Sequence, residues 1–209
     1  MNAPTVRASP AGGSEHLAAT RYFDRRFNTR AVRVLPGEYF ATSGDEAAVA
    51  VLGSCVAACI RDRENGIGGI NHFMLPGGGE DGSFGASARY GAFAMELLIN
   101  HLLKLGARRP ALEAKAFGGG CVVAGLAQAR VGERNAAFVR RYLAAEGIPL
   151  RSEDLLGVHP RKIVFFPASG RALVRTLARV RDDAVLRQED DYRHRIEAAG
   201  AGGDVELFR

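Results

Sequence analysis

The chain has 209 residues, of which 47% are hydrophobic, 24% charged and 8% aromatic, which is typical of a folded globular protein and excludes a disordered or fibrous one. Its length suffices for one domain with a substantial core and additional tails. The net charge of +5 comes from basic residues that are spread along the chain and interrupted by acidic ones. Such a pattern is typical of a solvated surface, so we expect no nucleic-acid partner.

The sequence contains no segment predicted to enter a membrane or direct export. Residues 1–20 are rich in small residues and proline and lack the apolar core of a signal peptide. The longest apolar stretch, residues 47–60, is too short to span a bilayer and contains Gly53 and Ser54. We therefore expect a cytoplasmic protein without membrane insertion.

Three segments are predicted along the chain. Residues 1–33 form a flexible, basic N-terminal tail, because small residues are followed by an arginine-rich connector. Residues 34–180 alternate strand and helix patterns, which predicts one mixed α/β domain. Residues 181–209 form a charged C-terminal extension in which 182–199 is a candidate helix.

The first half of the domain is predicted to be mainly β-structure. A turn at residues 35–37 leads into a strand at 38–42, and the continuous apolar run at 47–52 predicts a buried strand. The apolar runs at 56–60 and 67–75 flank Asn65-Gly66, a strong turn signal, and predict a β-hairpin.

The second half combines helices with strands. A glycine-rich loop at 77–87 precedes a helix, which apolar residues at helical spacing predict and Gly106 ends. A later strand leads into Gly118-Gly119-Gly120, which we interpret as a tight backbone approach beside the active site. The remaining predictions are strands at 112–117, 148–150, 162–166 and 172–177, a turn at 167–170, and helices at 88–105 and 133–146.

Cys55 is the candidate nucleophile among the three cysteines, whose odd number argues against a disulfide framework. It follows a predicted buried strand and Gly53-Ser54, where small residues let a substrate carbonyl approach the backbone closely. The backbone amides around Gly53 and Ser54 can then stabilise a developing oxyanion. The alternative interpretation is a small buried core residue, which is the usual role of a free cysteine.

His72 lies on the other strand of the predicted hairpin. If His72 pairs directly with Cys55, the centre of the turn lies between Arg63 and Glu64. If Asn65-Gly66 forms a two-residue turn instead, the register of the partner strand shifts by about two positions. In both registers the side chains lie within one or two residue spacings of each other. An imidazole can activate a thiol near neutral pH, although a hydrogen-bonded core histidine remains the alternative.

A metal site is the other use of these side chains. Cys55, Cys59, His72 and Cys121 could supply four ligands, but their spacing matches no common zinc pattern. On one strand, Cys55 and Cys59 would be about 13 Å apart. We therefore expect no metal, and we interpret Cys59 and Cys121 as packing residues.

The segments LGSCVAACIRD at 52–62 and NHFMLP at 71–76 closely resemble the signature of the CheD family, the chemoreceptor glutamine deamidases of bacterial chemotaxis. The resemblance covers roughly residues 35–177 in the family's order. Further matching segments lie at 89–90, 113–119, 131–135, 153–157 and 161–167.

This resemblance implies a cysteine hydrolase that converts glutamines of methyl-accepting chemoreceptors to glutamate, with Cys55 and His72 as the active pair. It implies two β-sheet layers with helices outside, as in bacterial toxin glutamine deamidases. It also implies a thioester mechanism without a metal or organic cofactor. Further implications are receptor methylesterase activity in some members and CheC, a phosphatase of receptor adaptation, as a second partner.

One position departs from the family pattern. The family often has a catalytic threonine five or six residues before the nucleophile, where this chain has Ala50 and Val49. The group that orients His72 is then a backbone carbonyl, another side chain, a water, or absent. The alternative function is a non-catalytic module that binds receptors or CheC.

Overall fold

The computed structural model describes residues 16–76, 84–122, 126–177 and 183–200. In this part of the chain, ten strands form two five-stranded sheets, accompanied by three α-helices and a short 3₁₀ turn at Arg109–Ala111. The strands are β1 (Thr20–Asp24), β2 (Thr29–Arg33), β3 (Tyr39–Thr42), β4 (Ala47–Leu52), β5 (Val56–Asp62), β6 (Gly68–Asn71), β7 (Leu112–Gly118), β8 (Leu150–Leu155), β9 (Arg161–Phe166) and β10 (Arg171–Thr176). The helices are α1 (Phe84–Lys104), α2 (Leu126–Ala145) and α3 (Asp183–Gly200).

The two sheets pack face to face. The first has the strand order β1-β2-β4-β9-β10 and the second β3-β6-β5-β7-β8. A buried layer joins side chains of both sheets, including Leu52, Phe165, Ala57 and Ile70, while a second apolar cluster lies between the second sheet and helices α1 and α2. The predicted mixed α/β fold with two sheet layers and flanking helices is confirmed.

The β5–β6 hairpin carries the candidate site residues. Its turn is held by Asp62, whose Oδ1 accepts hydrogen bonds from the backbone N–H groups of Glu64 and Asn65 at 2.8 and 3.0 Å. Cys59 lies opposite Ile70, and Val56 forms a bridge with Phe73. This register lies midway between the two that we considered from the sequence, because the turn is longer than the Asn65-Gly66 pair.

The predicted N-terminal boundary at residue 34 is wrong. Strands β1 and β2 pair with each other, and β2 extends the first sheet by parallel pairing with β4. Ala31 and Val32 are fully buried, while the neighbouring arginines face outward. Strand β2 buries only two of its five side chains, so its exposed positions can be arginines. This is why the sequence predicted a solvated connector here.

Several element boundaries also differ from the predictions. Helix α2 begins seven residues earlier than predicted and so includes Gly132. This glycine packs against the backbone after β7, where an added Cβ would lie 2.4 Å from the Gly119 carbonyl oxygen. Strand β8 shares only Leu150 with the strand predicted at 148–150, and residues 151–155 were not predicted because they are mostly exposed and lack apolar alternation. Helix α1 begins four residues early, and residues 77–83 of the predicted glycine-rich loop lie outside the described part of the chain.

The C-terminal segment forms the predicted helix, α3. Its described side chains are mostly exposed, with Glu189, Tyr192 and Ile196 buried along one stripe. The spacing of these three residues, i, i+3 and i+7, places them on one face of the helix. None of the described helices has the length and apolar character needed to cross a membrane.

Candidate active site

The loop of Gly53, Ser54 and Cys55 connects β4 of the first sheet to β5 of the second. The glycines that follow β7 hold this loop, since Gly119 N–H donates to the Cys55 carbonyl at 2.7 Å and Gly120 N–H to that of Gly53 at 2.8 Å. An added Cβ at Gly118, whose φ is +104°, would lie 2.2 Å from the Cys55 carbonyl oxygen. The close backbone approach predicted for these glycines is confirmed.

Cys55 and His72 meet in the layer between the sheets, where they are 0% and 2% exposed. The Cys55 Sγ, a ring nitrogen of His72 and a carboxylate oxygen of Glu189 all lie within 4.8 Å of one another. Because Val56 is bridged to Phe73, position 72 lies diagonally across the two strands from position 55. The hairpin therefore brings the two predicted side chains together.

The Val34 carbonyl oxygen lies 3.1 Å from His72 Nδ1. His72 Nε2 is buried and has no hydrogen-bond partner among the described residues. The Val34 contact assigns the ring proton to Nδ1, so that Nε2 carries the free lone pair. The sequence left open which group orients His72, and in the structure this group is the backbone carbonyl of Val34.

Val49 and Ala50, which stand where the family often has a catalytic threonine, both lie on β4. Val49 belongs to the apolar cluster on the outer face of the first sheet, whereas Ala50 faces the layer between the sheets. The Val49 carbonyl accepts a hydrogen bond from Val34 N–H at 2.9 Å. Position 49 thus supports, through its backbone, the residue whose carbonyl contacts His72.

Burial and Glu189 determine the ionisation of the pair. Burial raises the pKa of the Cys55 thiol, and the charge of Glu189 and its hydrogen bond with the thiol raise this pKa further. Burial lowers the pKa of His72, while the Val34 hydrogen bond and the Glu189 charge act in the opposite direction. In this conformation the environment favours the protonated thiol and the neutral imidazole.

Glu189 of α3 fills the site and was missed by the sequence analysis. One carboxylate oxygen accepts hydrogen bonds from Gly53 N–H and Cys55 N–H at 2.7 and 3.2 Å. The other accepts them from Ser54 N–H and Ser54 Oγ–H at 2.9 and 2.8 Å. A side chain at position 53 would displace this carboxylate, because an added Cβ would lie 2.7 Å from Glu189 Oε2. The predicted oxyanion donors thus converge on one carboxylate.

Known proteins resemble the chain over nearly its whole length. A family model described as "CheD chemotactic sensory transduction" matches residues 74–176. The chain is 56% identical to the probable chemoreceptor glutamine deamidase CheD 1 of Dechloromonas aromatica, over 93% of this chain and 96% of that protein. The chain belongs to the CheD family. It is also 54% identical to the probable chemoreceptor glutamine deamidase CheD of Janthinobacterium sp., over 93% of this chain and 97% of the relative.

The metal-ligand set considered from the sequence is not assembled in this CheD chain. Within the described residues, the cluster with metal-binding geometry contains Cys55, His72 and Glu189 but neither Cys59 nor Cys121. Cys59 is buried in the layer between the sheets, and Cys121 is partly exposed. Cys55, His72 and Glu189 could hold an ion only if the carboxylate gave up some of its hydrogen bonds to the loop.

Asn135 of α2 links the two halves of the CheD site. This fully buried side chain donates from Nδ2 to the Ser54 carbonyl at 2.8 Å and accepts at Oδ1 from Leu75 N–H at 2.9 Å. It therefore joins the Cys55 loop to the segment that follows His72. The sequence analysis included it in a matching segment without a role, because a lone asparagine on a helix predicts no partner.

Asn135→Ala is expected to lower the free energy of unfolding by about 2–4 kcal/mol, because a buried carbonyl and a buried N–H lose their partners. Urea denaturation followed by circular dichroism measures this difference. Asn100→Ala, at an exposed position on α1, is the control and should stay within about 0.5 kcal/mol of the parent. Equal stability of the two variants would show that Asn135 does not hold the loop.

Proposed function

We propose that this chain is a protein-glutamine deamidase that hydrolyses glutamine side chains on the cytoplasmic helices of methyl-accepting chemoreceptors to glutamate, releasing ammonia. The relatives that carry this name are 50–56% identical to the chain. One observation within the site carries the proposal: three consecutive backbone N–H groups converge on a carboxylate beside a buried Cys–His pair.

The first step of the proposed reaction forms a tetrahedral intermediate on Cys55. His72 Nε2 accepts the proton of the Cys55 thiol, and the thiolate attacks the substrate Cδ. The carbonyl oxygen becomes an oxyanion, which the N–H groups of Gly53, Ser54 and Cys55 stabilise. Their distances of 2.7–3.2 Å to the oxygens of Glu189 support this role, because oxyanion donors act over a similar range.

The second step releases both products. The His72 imidazolium donates its proton to the nitrogen of the tetrahedral intermediate, the C–N bond breaks, and the departure of ammonia leaves the thioester on Cys55. A water then gives a proton to His72 Nε2 and attacks the thioester, and the returning proton restores the Cys55 thiol as glutamate leaves. A cavity of about 330 Å³, lined in part by Val34 and Val49, reaches His72 and supports access of water to the imidazole. Val34 keeps the imidazole in the required tautomer.

Charge supports the proposed substrate. The chain has a net charge of +5, which favours encounter with acidic receptor helices. Each turnover adds a negative charge to the receptor and so biases its signalling equilibrium. The same attack on a glutamate methyl ester would release methanol, which is the proposed side activity. CheC is the second proposed partner, and the cytoplasm, where the receptor helices lie, is the proposed location.

Incubation with a purified receptor cytoplasmic fragment tests the proposal. We expect tandem mass spectrometry to show conversion of particular receptor glutamines to glutamate, with a matching amount of ammonia. The fragment incubated without the enzyme is the control for spontaneous deamidation. A receptor that binds the protein but keeps all its glutamines would contradict the enzyme and support the alternative, a non-catalytic binding module.

A further inference from the structure

The placement of Glu189 is unusual because a charged side chain is expected at the surface of a helix. Glu189 is 5% exposed, whereas its neighbours Gln188, Asp190 and Asp191 are exposed. In addition to its hydrogen bond with the Cys55 thiol, its two oxygens accept hydrogen bonds from three consecutive N–H groups and the Ser54 hydroxyl. The carboxylate therefore occupies the place in which the proposed reaction develops its oxyanion.

The carboxylate of Glu189 is also the chemical group that the proposed reaction produces. Deamidation turns a glutamine carboxamide on a helix into a glutamate carboxylate on that helix, and α3 presents the same group from a helix. With this carboxylate in the loop, a substrate carboxamide cannot reach the same N–H groups of Gly53, Ser54 and Cys55. Glu189 is thus positioned as a bound product.

The remaining contacts of α3 act as a second anchor. The Tyr192 hydroxyl is hydrogen-bonded to that of Tyr90 on α1, and its ring lies against Gly37, where an added Cβ would be 2.5 Å from Cε2. Ile196 packs in the apolar layer that also contains Val34. The other described side chains of α3 are exposed or half-buried. One narrow stripe therefore holds the helix, in contrast to the broad faces buried by α1 and α2.

Glu189 does not suit an activating role in the same reaction. Its negative charge lies beside Cys55 and raises the pKa of the thiol, which disfavours the thiolate. Both of its oxygens are already used by the loop, so it cannot orient His72. An inhibitory role agrees with the geometry, since Cys55 is 0% exposed while α3 is in place.

We propose that α3 is a built-in product-mimicking inhibitor, in which Glu189 fills the subsite of the substrate carboxamide. A receptor helix that presents glutamine displaces α3 from its groove, the surface formed by the Gly53–Cys55 loop, Gly37 and Tyr90. The identity of the displacing ligand rests on the proposed deamidase function. The groove is then a surface for one helix at a time, and the enzyme acts only when α3 leaves it. Removal of Glu189 should expose both the thiol and the oxyanion donors.

Glu189→Gln in the full chain is the sharpest test. The variant places a carboxamide beside Cys55, so the enzyme should hydrolyse this introduced side chain back to glutamate with release of ammonia. Tandem mass spectrometry reads the conversion, and the exposed Gln188 in the same peptide is the internal control. Conversion confined to position 189 and abolished by an added Cys55→Ala is the expected result. A carboxamide that persists at position 189 in a folded protein would overturn the proposal, as would conversion that persists without Cys55.

Glu189→Ala provides a measurement that needs no substrate. We expect the rate of Cys55 alkylation by iodoacetamide to rise about tenfold or more, because charge-assisted hydrogen bonds that hold the helix are lost. Asp191→Ala, an exposed acidic position on α3, should leave the rate unchanged. Cys59, which is 1% exposed, is the reference for general unfolding. Equal Cys55 rates in the parent and Glu189→Ala would contradict occlusion of the thiol by α3.

The receptor assay separates this inference from the proposed function. If the parent deamidates receptor but Glu189→Ala gains neither alkylation nor deamidation rate, the inhibitor is wrong and the enzyme stands. If Glu189→Ala exposes Cys55 but no variant modifies receptor or the carboxamide introduced by Glu189→Gln, the deamidase proposal fails, and with it the interpretation of Glu189 as a product mimic. Faster deamidation by Glu189→Ala than by Asp191→Ala supports both.

Discussion

Cys55→Ala is expected to abolish hydrolysis of receptor glutamines, with a rate loss of at least about 10⁴-fold, because no other group can form the thioester. The methyl group fits where the buried thiol lies, so the fold should persist. A time course of receptor conversion by mass spectrometry measures the loss, and circular dichroism checks the fold.

Cys59→Ala is the matched control, because Cys59 is equally buried in the same layer between the sheets but lies outside the site. It should retain the parent rate within a few fold. If Cys55→Ala and Cys59→Ala convert the receptor equally fast, the covalent mechanism is wrong, and the N–H groups of the loop would have to act on a water instead.

His72→Asn is expected to lower the deamidation rate by about 10²–10⁴-fold, because proton transfer to and from Cys55 is lost. The asparagine amide can still donate to the Val34 carbonyl, so the substitution removes the base while it keeps this contact. The rate of Cys55 alkylation should also fall when His72→Asn is added to Glu189→Ala, in which the thiol is exposed.

His101→Asn is the control for this substitution, since His101 lies on α1 against the Tyr39 ring and outside the site. It should leave both the deamidation rate and the alkylation rate unchanged. An unchanged deamidation rate in His72→Asn would remove His72 from the reaction and leave it as a hydrogen-bonded core histidine.

Strands buried on both faces were the easiest elements to predict. The apolar run of β4 matches its predicted bounds, because every position except Val51 is buried. The hairpin of β5 and β6 was predicted from Asn65-Gly66, but its register was not, because Asp62 holds a longer turn through its carboxylate. A turn signal locates a reversal of the chain, whereas side-chain hydrogen bonds decide its length.

Two of the four edge strands, β1 and β8, were missed or misplaced from the sequence. Strands β1 and β8 are largely exposed, and their sequences TRYFD and LRSEDL lack the apolar alternation of a half-buried strand. What places them in the sheets is backbone pairing with β2 and with β7. Any residue except proline can form such hydrogen bonds, so the sequence carries little signal for them.

The sequence by itself determined the chemical class of this protein. A thiol after Gly53-Ser54, a histidine on the other strand of the hairpin and a run of glycines after β7 are local patterns with a direct chemical meaning. They identified the CheD family and the residues that meet in the fold. These features depend on short-range geometry, which residue spacing reports well.

Only the tertiary structure decided what surrounds the Cys–His pair. The Val34 carbonyl contacts His72 through a backbone atom, which every residue type possesses and no motif reveals. Glu189 lies 134 residues beyond Cys55, on a helix whose charged sequence predicts a solvated surface. The role of a carboxylate depends on the donors that face it, and here those donors lie at the junction of two sheets, which only folding brings to α3.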